Sequence, residues 1–300
     1  MSARRRPLLS PGDRVGVVAT GFAVRAKPLR DGIRALETMG FEVERGRHLL
    51  AREGYLAGDD EARAGDLRRV LTDPTIAAVW FARGGYGTAR LLDRVPWRSL
   101  KRSPKLLIGY SDLTALLNPA VERAGCRCLH GPVVVELGEK RSYHARSLRD
   151  LLSGKPIELP IVRKQVLAAG RARGRLLGGN LTVLTHLMGT RFAPDLRGAV
   201  LFIEEVGEQA YRVDRSLTQL ESAGALRGLA AVLVGRSSVP RRRSFPPDRT
   251  FTELLRERFE PLGIPVVTDL PCGHVDRKWS LPLGGSAVVD TAARKLRFIP

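Results

Sequence analysis

Short apolar runs alternate with helix-length amphipathic stretches through the first half of the chain. Residues 15–18 predict a buried strand, residues 29–39 a helix closed by Gly40, and residues 41–43 the next strand. The same rhythm continues with a helix over residues 59–71, stopped at Asp73-Pro74, and a strand over residues 76–81. Residues 106–108 form a further strand, and a helix starts at Ser111. Such a βαβα order predicts a parallel sheet with helices on both faces. Pro119 falls inside the helix that follows Ser111, so a kink or an early break is expected there.

Residues 153–172 are richer in Gly, Pro and Lys and lack a strong period. They predict a connection between an N-terminal domain, residues 1–152, and a C-terminal domain, residues 173–300. The second half resumes at residues 173–177, followed by a turn at Gly178-Gly179-Asn180 and a helix over 181–188. A strand over 199–203, a helix over 214–223 and a strand over 230–234 come next, then an exposed Pro- and Arg-rich loop over 237–247. Residues 286–289 and 295–299 predict a terminal hairpin. The fold class is therefore α/β: a parallel-sheet βαβ domain followed by a mixed α/β domain. A length of 300 residues with 43% hydrophobic content is enough for two modest cores.

Composition narrows the function classes. The longest apolar stretches, such as residues 229–234, fall far short of the roughly 20 residues that span a bilayer. Arg4-Arg5-Arg6-Pro7 is not followed by an uninterrupted apolar region, so no membrane association and a cytoplasmic location are expected. Cys126, Cys128 and Cys272 are too few and too irregularly spaced for a zinc site or a disulfide framework, and Cys126 and Cys128 read as buried thiols. Cys272 is too close in sequence to His274 to use the far nitrogen of its ring. The formal net charge of +19 is spread along the chain, with no aromatics interleaved for base stacking. It reads as a solvated Arg-rich surface rather than a nucleic-acid site, and its field would favour an anionic substrate.

Three separated segments carry chemistry. Ser111 stands where a strand gives way to a helix, a turn that presents a hydroxyl outward beside the first helical amides; an ordinary helix N-cap is the plain alternative. Arg83-Gly84-Gly85-Tyr86-Gly87 follows another strand end, and the amides of Gly84, Gly85 and Asp112 are candidates for holding an oxyanion. The spacing fits neither dinucleotide nor P-loop patterns. Glu204 and Glu205 close an apolar strand, where alternation allows only one to face a shared site; a solvated strand end is the plain reading. His274 lies in a loop between Gly273 and the polar run 275–278, and His130, before Gly131-Pro132, is placed to line the same cleft. A hydroxyl, a carboxylate and an imidazole are what a serine hydrolase needs, with no metal or cofactor.

Taken together, residues 83–87, 109–115, 178–181, 204–208, 211–215, and Gly273-His274 with residues 281–284 resemble the LD-carboxypeptidase family of serine peptidases. Residues 11–15 and 55–58 also match, so the resemblance covers essentially the whole chain in order. It implies a two-domain α/β enzyme and homodimer with the active site between the domains, acting on small peptides. It also implies a triad in which Ser111 is the nucleophile, His274 the base and Glu204 the residue orienting it. The family includes murein tetrapeptide carboxypeptidases, which release the terminal D-alanine, and microcin C immunity peptidases, which cleave an aminoacyl-nucleotide conjugate. The chain departs from the family pattern at Ala19-Thr20-Gly21, where many relatives have Ala-Pro-Ser-Ser, at Ala210 in place of a usual proline, and at Pro119.

Overall fold

The computed structural model describes residues 6–139, 141–239 and 249–300. They divide into two compact units: the chain up to Pro156 together with Asp276–Gly284 and Pro300, and Ile157–Val275 together with Gly285–Ile299.

The first unit runs β1 (Arg14–Val18), α1 (Ala26–Thr38), β2 (Glu42–Arg45), α2 (Asp60–Thr72), β3 (Ile76–Phe81) and α3 (Trp97–Arg102). It continues with β4 (Leu106–Gly109), α4 (Thr114–Ala124), β5 (Arg127–His130), α5 (Val134–Leu137) and α6 (Ala145–Leu152). The five strands are parallel, in the order β5-β4-β3-β1-β2. Nearly every residue of β1, β3 and β4 is buried, as continuous apolar runs must be when helices cover both faces. The twelfth strand in chain order, β12 (Leu281–Leu283), comes back from the far end of the sequence and pairs antiparallel with β5.

Local chemistry explains the helix ends. Asp59 caps α2 by accepting from the Ala62 amide at 2.7 Å, and Asp60 and Glu61 place negative charge at its positive end. Asp73 leaves α2 extended, as the residue before a proline prefers. The break expected at Pro119 does not occur, since α4 continues to Ala124. The Asn118 side-chain amide donates to Thr114 O at 3.0 Å, and burial of almost the whole helix outweighs the single lost backbone bond.

The second unit contains β6 (Ile157–Pro160), β7 (Val166–Ala168), β8 (Arg171–Asn180), α7 (Leu181–Leu187), β9 (Val200–Glu204) and α8 (Ala210–Ser222). β10 (Ala231–Gly235), α9 (Phe251–Phe259), β11 (Val266–Leu270), β13 (Ser286–Asp290) and β14 (Lys295–Ile299) complete it. Its mixed sheet has the order β6-β14-β13-β8-β9-β10-β11-β7, with β8 to β11 parallel and the flanks antiparallel. The terminal hairpin is β13-β14.

Two expectations change here. Residues 153–172 are not simply a connection, because β6 and β7 lie within them and form the two edges of this sheet. Edge strands carry a weak apolar signal, which is why composition reads them as linker. Gly178-Gly179-Asn180 is not a turn but the end of β8, paired in parallel with Phe202, Ile203 and Glu204. A Cβ on Gly178 would sit 1.9 Å from Phe202 O, so glycine is needed for this approach of backbones. Of the loop expected over 237–247, residues 240–247 lie outside the described residues. Among the described residues no helix is long and apolar enough to cross a membrane.

Candidate active site

Ser111 follows β4 by two residues and has φ of 65°, a left-handed conformation that a non-glycine residue rarely adopts. A 3-10 turn, Ser111–Leu113, leads from it into α4. Ser111 is half-buried, and the N-cap position of that turn is Tyr110 rather than Ser111. The loop after β3 lies against it: a Cβ on Gly84 would meet Ser111 Cβ at 3.0 Å and Oγ at 3.3 Å. Gly85 has φ of 107°, and a Cβ there would collide with the Phe22 ring at 2.2 Å. Gly85 therefore sits where only glycine fits, and a side chain at Gly84 would crowd the Ser111 hydroxyl.

Asp112 plays a part that its sequence context did not reveal. Its buried carboxylate accepts from the Thr88 amide at 3.0 Å and the Thr88 hydroxyl at 2.7 Å, and Thr88 in turn bonds Thr20 Oγ1 at 2.8 Å. Burial pushes the Asp112 carboxyl above its ordinary range even though the Thr88 bonds oppose the shift. A Cβ on Gly21 would lie 2.8 Å from both Asp112 Oδ2 and Gly84 O, so the departure at Ala19-Thr20-Gly21 removes a side chain for which there is no room. The fully buried Arg63 closes the arrangement, donating to Gly58 O at 3.2 Å, to Gly87 O at 3.1 Å and to Thr20 O. Arg63 reads in sequence as one more charge on a helix, and nothing local marks it as the peg of the glycine loop.

In the second unit, the imidazole and the carboxylate meet. His274 Nδ1 bonds Glu204 Oε2 at 2.7 Å, and the His274 amide donates to the same oxygen at 3.3 Å. Glu204 is fully buried at the end of β9, while the His274 side chain is 22% exposed. A carboxylate on Nδ1 puts the ring proton there and the basic lone pair on Nε2. Space for the carboxylate comes from glycines: a Cβ on Gly273 would lie 2.7 Å from Glu204 Oε2, and one on Gly235 would lie 2.9 Å from Glu204 Cβ.

Neither glutamate is a solvated strand end. Glu205 is also buried and accepts from the Thr182 amide and hydroxyl at 3.0 and 2.7 Å and from Asn180 Nδ2 at 3.2 Å, joining β9 to the start of α7. Alternation thus gives the two carboxylates different tasks. Ala210 is the first residue of α8, a position that accepts proline equally well. The thiols are poorly placed for chemistry: burial pushes Cys126 up to about 11 and Cys128 well above its ordinary value, and Cys272 is buried. Among the described residues no group of three or more His, Cys, Asp or Glu is placed to hold a metal ion.

His130 is buried in the first unit with its ring edge-on to Tyr110 at 5.6 Å. Tyr110, the neighbour of Ser111, donates through its hydroxyl to Glu136 Oε1 at 2.7 Å. Glu136 also accepts from Lys278 Nζ at 2.9 Å. This network had no local signal, because its members lie up to 168 positions apart in the sequence (278 − 110).

Comparisons with known proteins point to one family. Residues 15–131 match the LD-carboxypeptidase N-terminal domain and residues 173–289 the LD-carboxypeptidase C-terminal domain. A putative carboxypeptidase of Synechocystis sp. is 39% identical, with 97% of this chain and 96% of the relative covered. The murein tetrapeptide carboxypeptidase of Pseudomonas aeruginosa is 36% identical over 92% of this chain and 93% of its own. Among solved structures, the muramoyltetrapeptide carboxypeptidase of Oxalobacter formigenes superposes with a TM-score of 0.85 at 30% identity, covering 95% of this chain and 97% of that one. The microcin C7 self-immunity protein MccF shares the fold, with a TM-score of 0.87, 24% identity and 98% of both chains covered. The chain is a member of the LD-carboxypeptidase family, a family of serine peptidases.

Proposed function

We propose that the protein is a serine carboxypeptidase that hydrolyses the LD peptide bond of murein tetrapeptides and releases the terminal D-alanine. Ser111 attacks the carbonyl carbon before D-alanine and passes its proton to His274 Nε2, while Glu204 holds the ring and balances the imidazolium charge. The amides of Gly84, Gly85 and Asp112 receive the oxyanion. The C–N bond breaks as His274 returns the proton to the leaving amine. Water, deprotonated by His274, then attacks the ester on Ser111 and restores the hydroxyl. The observation that carries this reading is the bond of 2.7 Å between His274 and a carboxylate with no exposure to solvent, the arrangement a base needs to keep its proton on the inner nitrogen.

On this proposal the N-terminal half supplies the nucleophile and the C-terminal half the base. The enzyme works in the cytoplasm as a homodimer on small peptides, in line with the family resemblance. Light scattering of the purified protein tests the dimer.

Substrate choice is tested by turnover of a murein tetrapeptide and an aminoacyl-nucleotide conjugate measured side by side. Faster release of D-alanine is expected. Preference for the conjugate would move the protein to the microcin-immunity activity on the same triad, because a triad by itself does not select between amides. Salt-sensitive duplex binding with neither hydrolysis would replace both with a nucleic-acid role for the positive charge.

A further inference from the structure

We infer that Lys278 is a positioning residue for the nucleophile turn, acting on Ser111 through Glu136 and Tyr110. The inference rests on the reading of Ser111 as nucleophile. Lys278 is only 4% exposed, unusual for a lysine, and its ammonium lies 5.0 Å from the centre of the Tyr110 ring. It donates to Glu136 Oε1 and to Ser142 O, both at 2.9 Å. The Tyr110 hydroxyl donates to the same Glu136 oxygen at 2.7 Å, and Glu136 Oε2 accepts from the Val133 amide at 3.2 Å. One carboxylate therefore joins the ammonium to the phenol of the residue that precedes Ser111. The chain turns to a positive φ immediately after that tyrosine, so the tilt of the Tyr110 side chain and the direction of the Ser111 hydroxyl are coupled through one peptide.

The lysine is not needed to dock its own segment. The Arg277 amide donates to Arg141 O at 2.7 Å, the His144 amide to Lys278 O at 2.8 Å, and the Ser280 amide to Ser147 Oγ at 3.2 Å. Trp279 stacks on the His144 ring at 4.3 Å with planes 7° apart, and β12 adds to the sheet three residues after Lys278. Glu136 is half-buried and Lys278 buried, and such a largely buried ion pair contributes little net stability compared with apolar side chains of the same size, so the lysine charge needs a different reason. Holding a strained turn in one conformation is such a reason.

The test compares K278M, K278R and the double variant K278M/E136Q with the parent. It measures kcat and KM for D-alanine release, the rate of Ser111 labelling by a fluorophosphonate followed by mass spectrometry, and the melting temperature. K278M should lower kcat and the labelling rate about 10- to 100-fold, the scale of a small misplacement of a reacting group, with KM within about threefold. K278R, which keeps the charge and the donors, should recover most of the loss. The double variant, with no unpaired buried charge, should regain the melting temperature but not kcat. Recovery of kcat together with melting temperature would reduce the pair to a structural role and overturn the inference, as would a K278M whose kcat stays within about twofold of the parent. A parent that is neither labelled at Ser111 nor active would instead remove the underlying assignment of the nucleophile.

Discussion

Ser111 is held by backbone and His274 by a side chain. The Ser111 turn relies on a φ of 65°, on Gly84, where an added Cβ would lie 3.0 Å from the Ser111 Cβ, and on a loop pegged by Thr88, Asp112 and Arg63. The base relies on one carboxylate, sealed from water and reached by both the ring and the amide of His274. The difference teaches how each can fail. Damage to the backbone device spreads over many small contacts, whereas the carboxylate is a single point whose loss changes the tautomer of the ring.

The sharpest break in that comparison is therefore on the base side. H274A should lower kcat about 10⁴- to 10⁶-fold, and E204Q about 10³- to 10⁴-fold while leaving KM nearly unchanged, measured as steady-state D-alanine release. An E204Q enzyme within tenfold of the parent would mean that the buried carboxylate does not set the ring. Next in size is G273A, whose Cβ would lie 2.7 Å from Glu204 Oε2 at a φ of 98°. A loss of about 1–3 kcal/mol in urea unfolding is expected, together with reduced turnover.

Smaller effects probe the backbone device. T88V removes the hydroxyl that bonds Asp112 at 2.7 Å but leaves the amide bond, and should cost about 1–3 kcal/mol. Asp112 gives a pH signature. Burial raises its pKa above the ordinary 3.8, so the folded chain keeps a proton that the unfolded chain has already lost. Its contribution is full below 3.8 and falls as the pH rises through the raised folded value, after which the cost stays constant. D112N lacks this loss while its side-chain oxygen still accepts from Thr88. The stability of the parent relative to D112N should therefore decline across that window in urea titrations at a series of pH values. Parallel curves would show that Asp112 is not buried as a charge.

Pattern alone carries those parts of the fold that leave a local mark. Apolar runs at β1, β3 and β4 and the cap at Asp59 follow from pattern alone. Ser111 at a strand exit and His274 in a loop after a glycine are marked by pattern as candidates. What local pattern does not carry is pairing at a distance. Gly178-Gly179 looks like a turn until Phe202 is laid beside it, and β6 and β7 look like linker until β14 and β11 cover their edges. The same holds for the burial of Glu204 and Glu205, for Arg63 as a peg, and for residues 276–284, which return to the first unit.

Whether a hydroxyl held by backbone strain is the nucleophile is decided on Ser111 itself. Purified S111A and the parent are each given a murein tetrapeptide, and released D-alanine is quantified while intact-protein mass spectrometry follows acylation. An acyl adduct on Ser111 is expected in the parent and none in the variant, with a kcat lower by about 10⁴-fold or more and an unchanged melting temperature. D-alanine released by S111A as fast as by the parent would contradict it.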